Sequence, residues 1–281
     1  MREHSRIQRI LPHIYLWIGI IIIIFPIYFI FVGSSHTSAE ILAAPMPLKL
    51  GPHLFENYRR ALFEGTSNMG TPVLVMVKNS LIMALGISTG KIIVSLLAAF
   101  AIVFFDFPGR KFCFWAIFIT LMLPVEVRIM PTYKVISDLG MLNTYAGLIL
   151  PMIVSATAVF LFRQFYMSIP REIAEASQID GATPMQFFRS ILVPMTRTPV
   201  AAMFVIQFIY GWNQYLWPLL ITTKTNYYTL LIGINRMLSG ADVQIEWQIV
   251  MATTLLAMLP PVIVVMIMQK QFISGMTETE K

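Results

Sequence analysis

Few side chains in this sequence could do chemistry, and they lie far apart. Four histidines, His4, His13, His36 and His53, scatter towards the amino terminus without metal-ligand spacing. A single cysteine, Cys113, excludes an internal disulfide and a multi-cysteine metal centre. The sequence holds no glycine-rich phosphate loop ending in Gly-Lys-Ser or Gly-Lys-Thr, which excludes ATP binding of that kind. Gly33-Ser34-Ser35 lacks the pattern of a nucleophile elbow. The charges that stand in or beside apolar runs are Lys91, Glu126, Arg128 and Arg163. An ionisable residue at membrane depth costs about 2.5–3.5 kcal/mol on insertion scales, so each is a functional candidate by default. The competing reading is structural, with a lysine that snorkels or bonds a neighbouring helix. Glu126 and Arg128 are two residues apart and would not face each other on a helix, so their partners would lie on other spans.

One polar stretch, residues 170–194, is built differently from the rest of the chain. It reads as two short helices with a turn between them. Pro170 suits a first helical position, with Ser168 a candidate cap nearby. Asp180-Gly181 interrupts the pattern, because glycine supplies the backbone freedom of a sharp turn. Thr183 caps the second helix, Pro184 follows at its first position, and Gln186 falls at the reciprocal capping-box position. Pro194 is expected to end the run. A surface helix pair with ordinary caps is the bland alternative. A DNA-binding helix-turn-helix is disfavoured, because long apolar runs flank the bracket on both sides.

Those runs set the class. The chain is 57% hydrophobic and 12% charged, with a mean hydropathy of +0.73. Soluble domains carry about 25% charged residues, so most of this surface faces lipid or a core. The 281 residues accommodate six spans of about 20 residues each. The expected spans are 14–32, 81–105, 112–130, 145–165, 200–220 and 247–268. The first run is longer than the apolar region of a signal peptide, and Gly33-Ser34-Ser35-His36 is a poor cleavage site, so the span is expected to remain uncleaved. Residues 54–63 are expected to form a short interfacial helix, 132–144 and 222–246 outer loops, and 269–281 a polar tail. Trp212, Tyr215 and Trp217 suit a membrane interface. Arg2, Arg6 and Arg9, with the turn that holds Arg110 and Lys111, place the amino terminus and that turn in the cytoplasm. Six spans then put both termini and the bracket on that side. The net charge of +6 fits loops beside anionic headgroups better than a nucleic-acid partner.

The bracket also carries a resemblance. Glu175-Ala-Ser-x-x-Asp180-Gly181-Ala182-x-x-x-x-Phe187-x-x-x-Ile191-x-x-Pro194 resembles the EAA loop of the membrane subunits of ABC importers, with Ser177 where that family usually has a second alanine. Leu139-Gly-Met-Leu-Asn-Thr-Tyr-Ala-Gly-Leu-Ile-Leu-Pro151, Leu161-Phe-Arg-Gln-Phe165 and Trp212-Asn-x-x-Leu216-Trp-Pro218 extend it to the second permease of carbohydrate-type ABC importers, over about residues 76–275. Three stretches resemble the sn-glycerol-3-phosphate branch of that family more narrowly: Ala43-Ala-Pro-Met-Pro-Leu48, residues 118–129 and residues 207–215.

The resemblance implies an all-α integral membrane protein of the type I ABC importer permease fold, one permease domain over 1–281, in a bacterial inner membrane. It implies no catalysis and no cofactor on this chain. ATP would be bound by two copies of an ATPase subunit, beside a second, different permease and a periplasmic binding protein. The coupling loop would comprise Glu175, Ala176, Asp180, Gly181, Ala182, Phe187, Ile191 and Pro194. If the cargo is a phosphorylated polyol, Lys91, Arg128 and Glu126 are the candidates for its path; a sugar or oligosaccharide cargo is the alternative. Arg163 is expected nearer the inner surface, beside headgroups or the bracket. An ion-coupled secondary transporter would show inverted repeats and intramembrane carboxylates, and an intramembrane enzyme a nucleophile or metal constellation in the spans; neither pattern is evident.

Overall fold

A computed structural model describes residues 6–67, 69–120, 124–239 and 244–277, apart from the side chains of 6–10, 125–126 and 270–277. The described chain is helical. In order, α1 is Arg6–Gly33, α2 Ser38–Leu42, α3 Leu54–Phe63, α4 Val73–Phe104, α5 Arg110–Ile119 and α6 Val125–Asp138. Then come α7 Tyr145–Ile149, α8 Ala156–Ser168, α9 Arg171–Ile179, α10 Pro184–Phe187, α11 Val193–Met195 and α12 Arg197–Trp212. The last three are α13 Leu216–Ile221, α14 Leu230–Leu238 and α15 Trp247–Thr277.

Among the described residues, three helices are long and apolar enough to cross a membrane: Leu11–Gly33 within α1, all of α4, and Trp247–Gln269 within α15. Two bent pairs raise the number to five if each is one span, α7–α8 at 49° and the α10–α11 run with α12 at 75°. The expected first and sixth spans match α1 and the start of α15, and the expected short helix 54–63 is α3. Other expectations shift. α4 begins at Val73, eight residues before the expected start. At 32 residues it is about 48 Å long, well beyond the ~30 Å hydrocarbon core. The third span is not one helix: α5 ends at Ile119, and α6 opens at Pro124 and runs to Asp138 through residues expected to be loop. The fourth span breaks at Pro151, where a 3₁₀ turn, Leu150–Met152, leads to a fresh start capped by Ser155. The fifth breaks after Trp212, and α13 starts anew at Leu216. α14 occupies part of the expected outer loop, and α15 continues to Thr277 through the expected tail.

The chain forms two compact units, Met1–Met76 with Gly233–Leu259, and Val77–Ile232 with Pro260–Lys281. In the first, polar groups pin the loop after α1. Asn57 donates to the Ser34 and His36 carbonyls at 2.9 Å each, and Arg60 pairs with Glu246 at 2.7 Å. Ser38 bonds Gln248 and accepts from the Trp247 amide, tying the loop to the start of α15.

Among the described residues of the second unit, two apolar cores stand out. One gathers Met83, Ile87, Ile129, Ile136, Leu148, Trp217 and Ile221 from α4, α6, α7 and α13. There Trp217 Nε1 donates to the Gly147 carbonyl at 3.2 Å, which satisfies a buried indole. The other gathers Ile92, Leu96, Phe100, Phe162, Tyr166, Phe187, Phe188, Leu192 and Met203 from α4, α8, the bracket and α12. Gly86 and Gly90 bring α4 close to the broken α7–α8 element. A Cβ at Gly86 would stand 2.7 Å from Ile149, and one at Gly90 2.6 Å from Ile153. This is the small-residue spacing that lets membrane helices approach closely.

Candidate functional site

The bracket takes the form its sequence predicts. α9 ends with Asp180, and Gly181 follows at φ +75, a left-handed conformation open to glycine at no steric cost. The Ala182 amide donates to the Ser177 carbonyl and the Gly181 amide to the Gln178 carbonyl, both at 3.0 Å. This paired closure satisfies carbonyls the helix end would otherwise leave bare. At α10, Thr183 Oγ1 accepts from the Gln186 amide at 3.3 Å, and Gln186 Oε1 accepts from the Thr183 amide at 2.7 Å. Both halves of the capping box are therefore present.

Two details differ from expectation. Ser168 does not cap α9: its hydroxyl donates to the Phe165 carbonyl at 2.7 Å, and Pro170 occupies the cap position. Pro194 does not end the run. A π-helical turn, Phe188–Leu192, precedes it, and the helix continues to Met195 before the 75° bend into α12. A wider turn rearranges the hydrogen-bond ladder just where proline removes a donor.

The bracket is rooted on one side and bare on the other. Phe188 lies 5.0 Å from Phe100, ring centroid to centroid, and Phe187 meets Phe104 edge-on at 5.3 Å. Such aromatic pairs contribute about 0.5–1.5 kcal/mol each beyond burial. Ile173, Ala174 and Ile191 pack against the same core. Glu175, Ala176, Asp180 and Gly181 are exposed, and Ile179 is 86% exposed. The eight residues singled out by sequence thus divide. Glu175, Ala176, Asp180 and Gly181 form the bare face; Phe187, Ile191 and half-buried Pro194 form the root; Ala182 lies between.

Beside the bracket is a cleft of about 1180 Å³, walled by the end of α4, the start of α5, the end of α8 and α9. Arg163 stands in it with its guanidinium 4.1 Å from the Phe114 ring centroid, next to the bracket as expected.

Lys91 lies elsewhere in the second unit. It is 6% exposed, donates to Gln207 Oε1 at 3.0 Å and sits 3.7 Å from the Tyr210 ring centroid. Gln207 and Tyr210 were not singled out from sequence. Their spacing on α12 puts both on one helix face, the only local hint that they act together. Arg128 is exposed on α6, close enough for its charge to act on Lys91. The Glu126 side chain lies outside the described residues. Among the described residues no group of three or more His, Cys, Asp or Glu is placed to hold a metal.

An all-helical fold with broken spans, and a capped helical bracket rooted in the core but bare outside, define a transport-system membrane subunit. Residues 91–278 match the family described as the inner membrane component of binding-protein-dependent transport systems, and the chain belongs to that family. The chain is 54% identical to the sn-glycerol-3-phosphate transport system permease proteins UgpE of Brucella melitensis and Agrobacterium fabrum, and 50% identical to that of Pectobacterium atrosepticum. Each comparison covers 100% of both chains. The fold is that of a bacterial ABC transporter involved in the import of the acidic polysaccharide alginate, with a TM-score of 0.82 at 20% identity over 97% of this chain and 100% of the other. The protein is therefore a non-catalytic inner membrane component of the ABC permease fold.

Proposed function

We propose that the chain is half of the translocation path of an ABC importer for sn-glycerol-3-phosphate or related glycerophosphodiesters. The observation that carries the reading is the bracket: a rigid, capped element with a bare face and an aromatic root in the bundle. ATP hydrolysed by two partner subunits would push that face. The push would tip α4, α8 and α12 together, because Phe187 and Phe188 share one apolar core with residues of all three. Rigid-body coupling through a docked element is an established switching mode. The cargo would arrive from a periplasmic binding protein and pass between this chain and a second permease. Six spans with both termini and the bracket in the cytoplasm complete the arrangement. The substrate rests on relatives 50–54% identical over the full chain. A sugar importer of the same fold is the second reading, supported by the alginate-import structure.

Within this path, Lys91 and Arg128 would lower the barrier to a phosphate dianion, with Glu126 set between them in sequence. The opposing reading makes Lys91 a strut between α4 and α12 through Gln207. Glycerol-3-phosphate uptake by assembled Lys91→Met and Arg128→Gln transporters separates the two. The path reading expects apparent affinity or maximal rate to fall about tenfold in at least one variant, the scale of one lost charge-assisted contact. Unchanged kinetics in both would remove the phosphate path. In wild-type transporter, ATP hydrolysis stimulated by a binding protein loaded with an oligosaccharide, and not with glycerol-3-phosphate, would replace the substrate.

A further inference from the structure

The cleft beside the bracket contains more hydrogen-bonding capacity than the chain uses. Arg163 Nε, Ser177 Oγ and Tyr166 Oη are buried without a hydrogen-bond partner, and all three residues line it. A buried donor left unpaired costs about 1–3 kcal/mol, so three in one cavity mark the place of a missing acceptor. Ser177 sharpens the point. It is 5% exposed, and alanine would fill the same volume without a hydroxyl to satisfy.

Charge and shape say what the acceptor is. Four cations line the cleft, Arg110, Lys111, Arg163 and Arg171, against two acids, Asp106 and Glu175. Arg110 is already paired with Asp106 at 2.7 Å. Lys111, Arg163 and Arg171 have no ion pair among the described residues, which leaves an anion-binding surplus. The Phe114 ring fixes the Arg163 guanidinium in place from below. One wall is aromatic, through Phe114 and Trp115, and it continues onto the exposed apolar surface of α5, where Phe112 is 75% exposed. Free phosphate would use the cations and leave that wall bare; a lipid uses both.

We propose that the cleft holds an acidic phospholipid, its phosphate bonded by Arg163 and Ser177 and an acyl chain laid along Phe114 and Trp115. The lipid would sit under α9, between the bracket and the membrane, so that lipid composition sets how firmly the bracket is seated. The inference rests on the cytoplasmic, membrane-boundary placement of the bracket proposed above.

Photo-crosslinking tests it. The transporter, purified with its partner subunits, is placed in phosphatidylcholine nanodiscs containing phosphatidylglycerol with a photoreactive group on an acyl chain. The expected crosslink lies on α5 around Phe112 to Trp115, and a phosphatidylcholine probe labels that site weakly. Arg163→Gln lowers labelling about fivefold, the share one basic side chain contributes to acidic-lipid binding. Arg163→Lys, which keeps the charge and controls for folding, retains most of it, and Ser177→Ala lowers it about twofold. Equal labelling by both probes, labelling indifferent to Arg163→Gln, or competition by inorganic phosphate would each overturn the proposal. So would labelling that appears only once the ATPase subunits are stripped, since a protein segment would then fill the cleft. Crosslinking is read independently of hydrolysis, so a bracket that fails to couple leaves this result standing.

Discussion

At the scale of single residues, the sharpest electrostatic feature outside the spans is Glu246. Its partial burial would raise its carboxyl pKa. Hydrogen bonds from Ser67 and Arg60 outweigh that and hold it below its ordinary value of 4.5. A group with a depressed native pKa contributes stability that is full above its unfolded pKa and is lost as pH falls through the native one. Glu246→Gln should therefore destabilise the first unit by about 1–2 kcal/mol at neutral pH, the worth of charge-assisted bonds discounted for partial exposure. The gap between variant and wild type should close below about pH 4.5. Thermal unfolding in detergent across pH measures both, and a gap constant with pH would contradict the assignment. None of this was legible in the sequence, because Arg60 and Glu246 are 186 positions apart. The Thr183–Gln186 box was legible because a capping box is complete within four residues. The Lys91 site was half legible: a lysine in an apolar run advertises itself, but its partners on α12 do not.

At the scale of elements, apolar runs located α1, α4 and α15 but drew the other expected spans straight. Hydropathy averages over a window and does not register a change of direction. The breaks have local causes that a closer reading can find: Pro151 followed by Ser155, and the Asn213–Tyr215 gap before α13. What no local pattern reveals is what a broken span rests on. Here α7–α8 rests on Gly86 and Gly90. Gly90→Val should force Ile153 aside and cost about 1–3 kcal/mol, as overpacking does. The expected readout is a lower melting temperature of the purified chain with membrane insertion unchanged. An equal or higher melting temperature would show that the seam is loose. The bracket, by contrast, was read almost whole, because its caps, turn glycine and prolines are local signals. Its π turn was missed, since no residue preference announces it.

At the scale of the whole molecule, coupling requires the bracket on the side where ATP is available. In a Cys113→Ser background, needed because Cys113 is exposed, cysteines at Ser38 and Thr225 should label from outside and one at Ile179, which is exposed where Ser177 is buried, only from inside after permeabilisation. Outside labelling at Ile179 would place the bracket in the wrong compartment. Transmission of ATP hydrolysis from the bracket to the spans is tested by Gly181→Val in the reconstituted importer. Valine at φ +75 is strained by about 1–3 kcal/mol, yet a Cβ there meets nothing, so the spans are left alone. The measurement is substrate-stimulated ATP hydrolysis and glycerol-3-phosphate uptake by the same preparation. Normal insertion is expected, with both activities reduced at least about tenfold, the scale of that strain. Wild-type hydrolysis and uptake in that variant would contradict it.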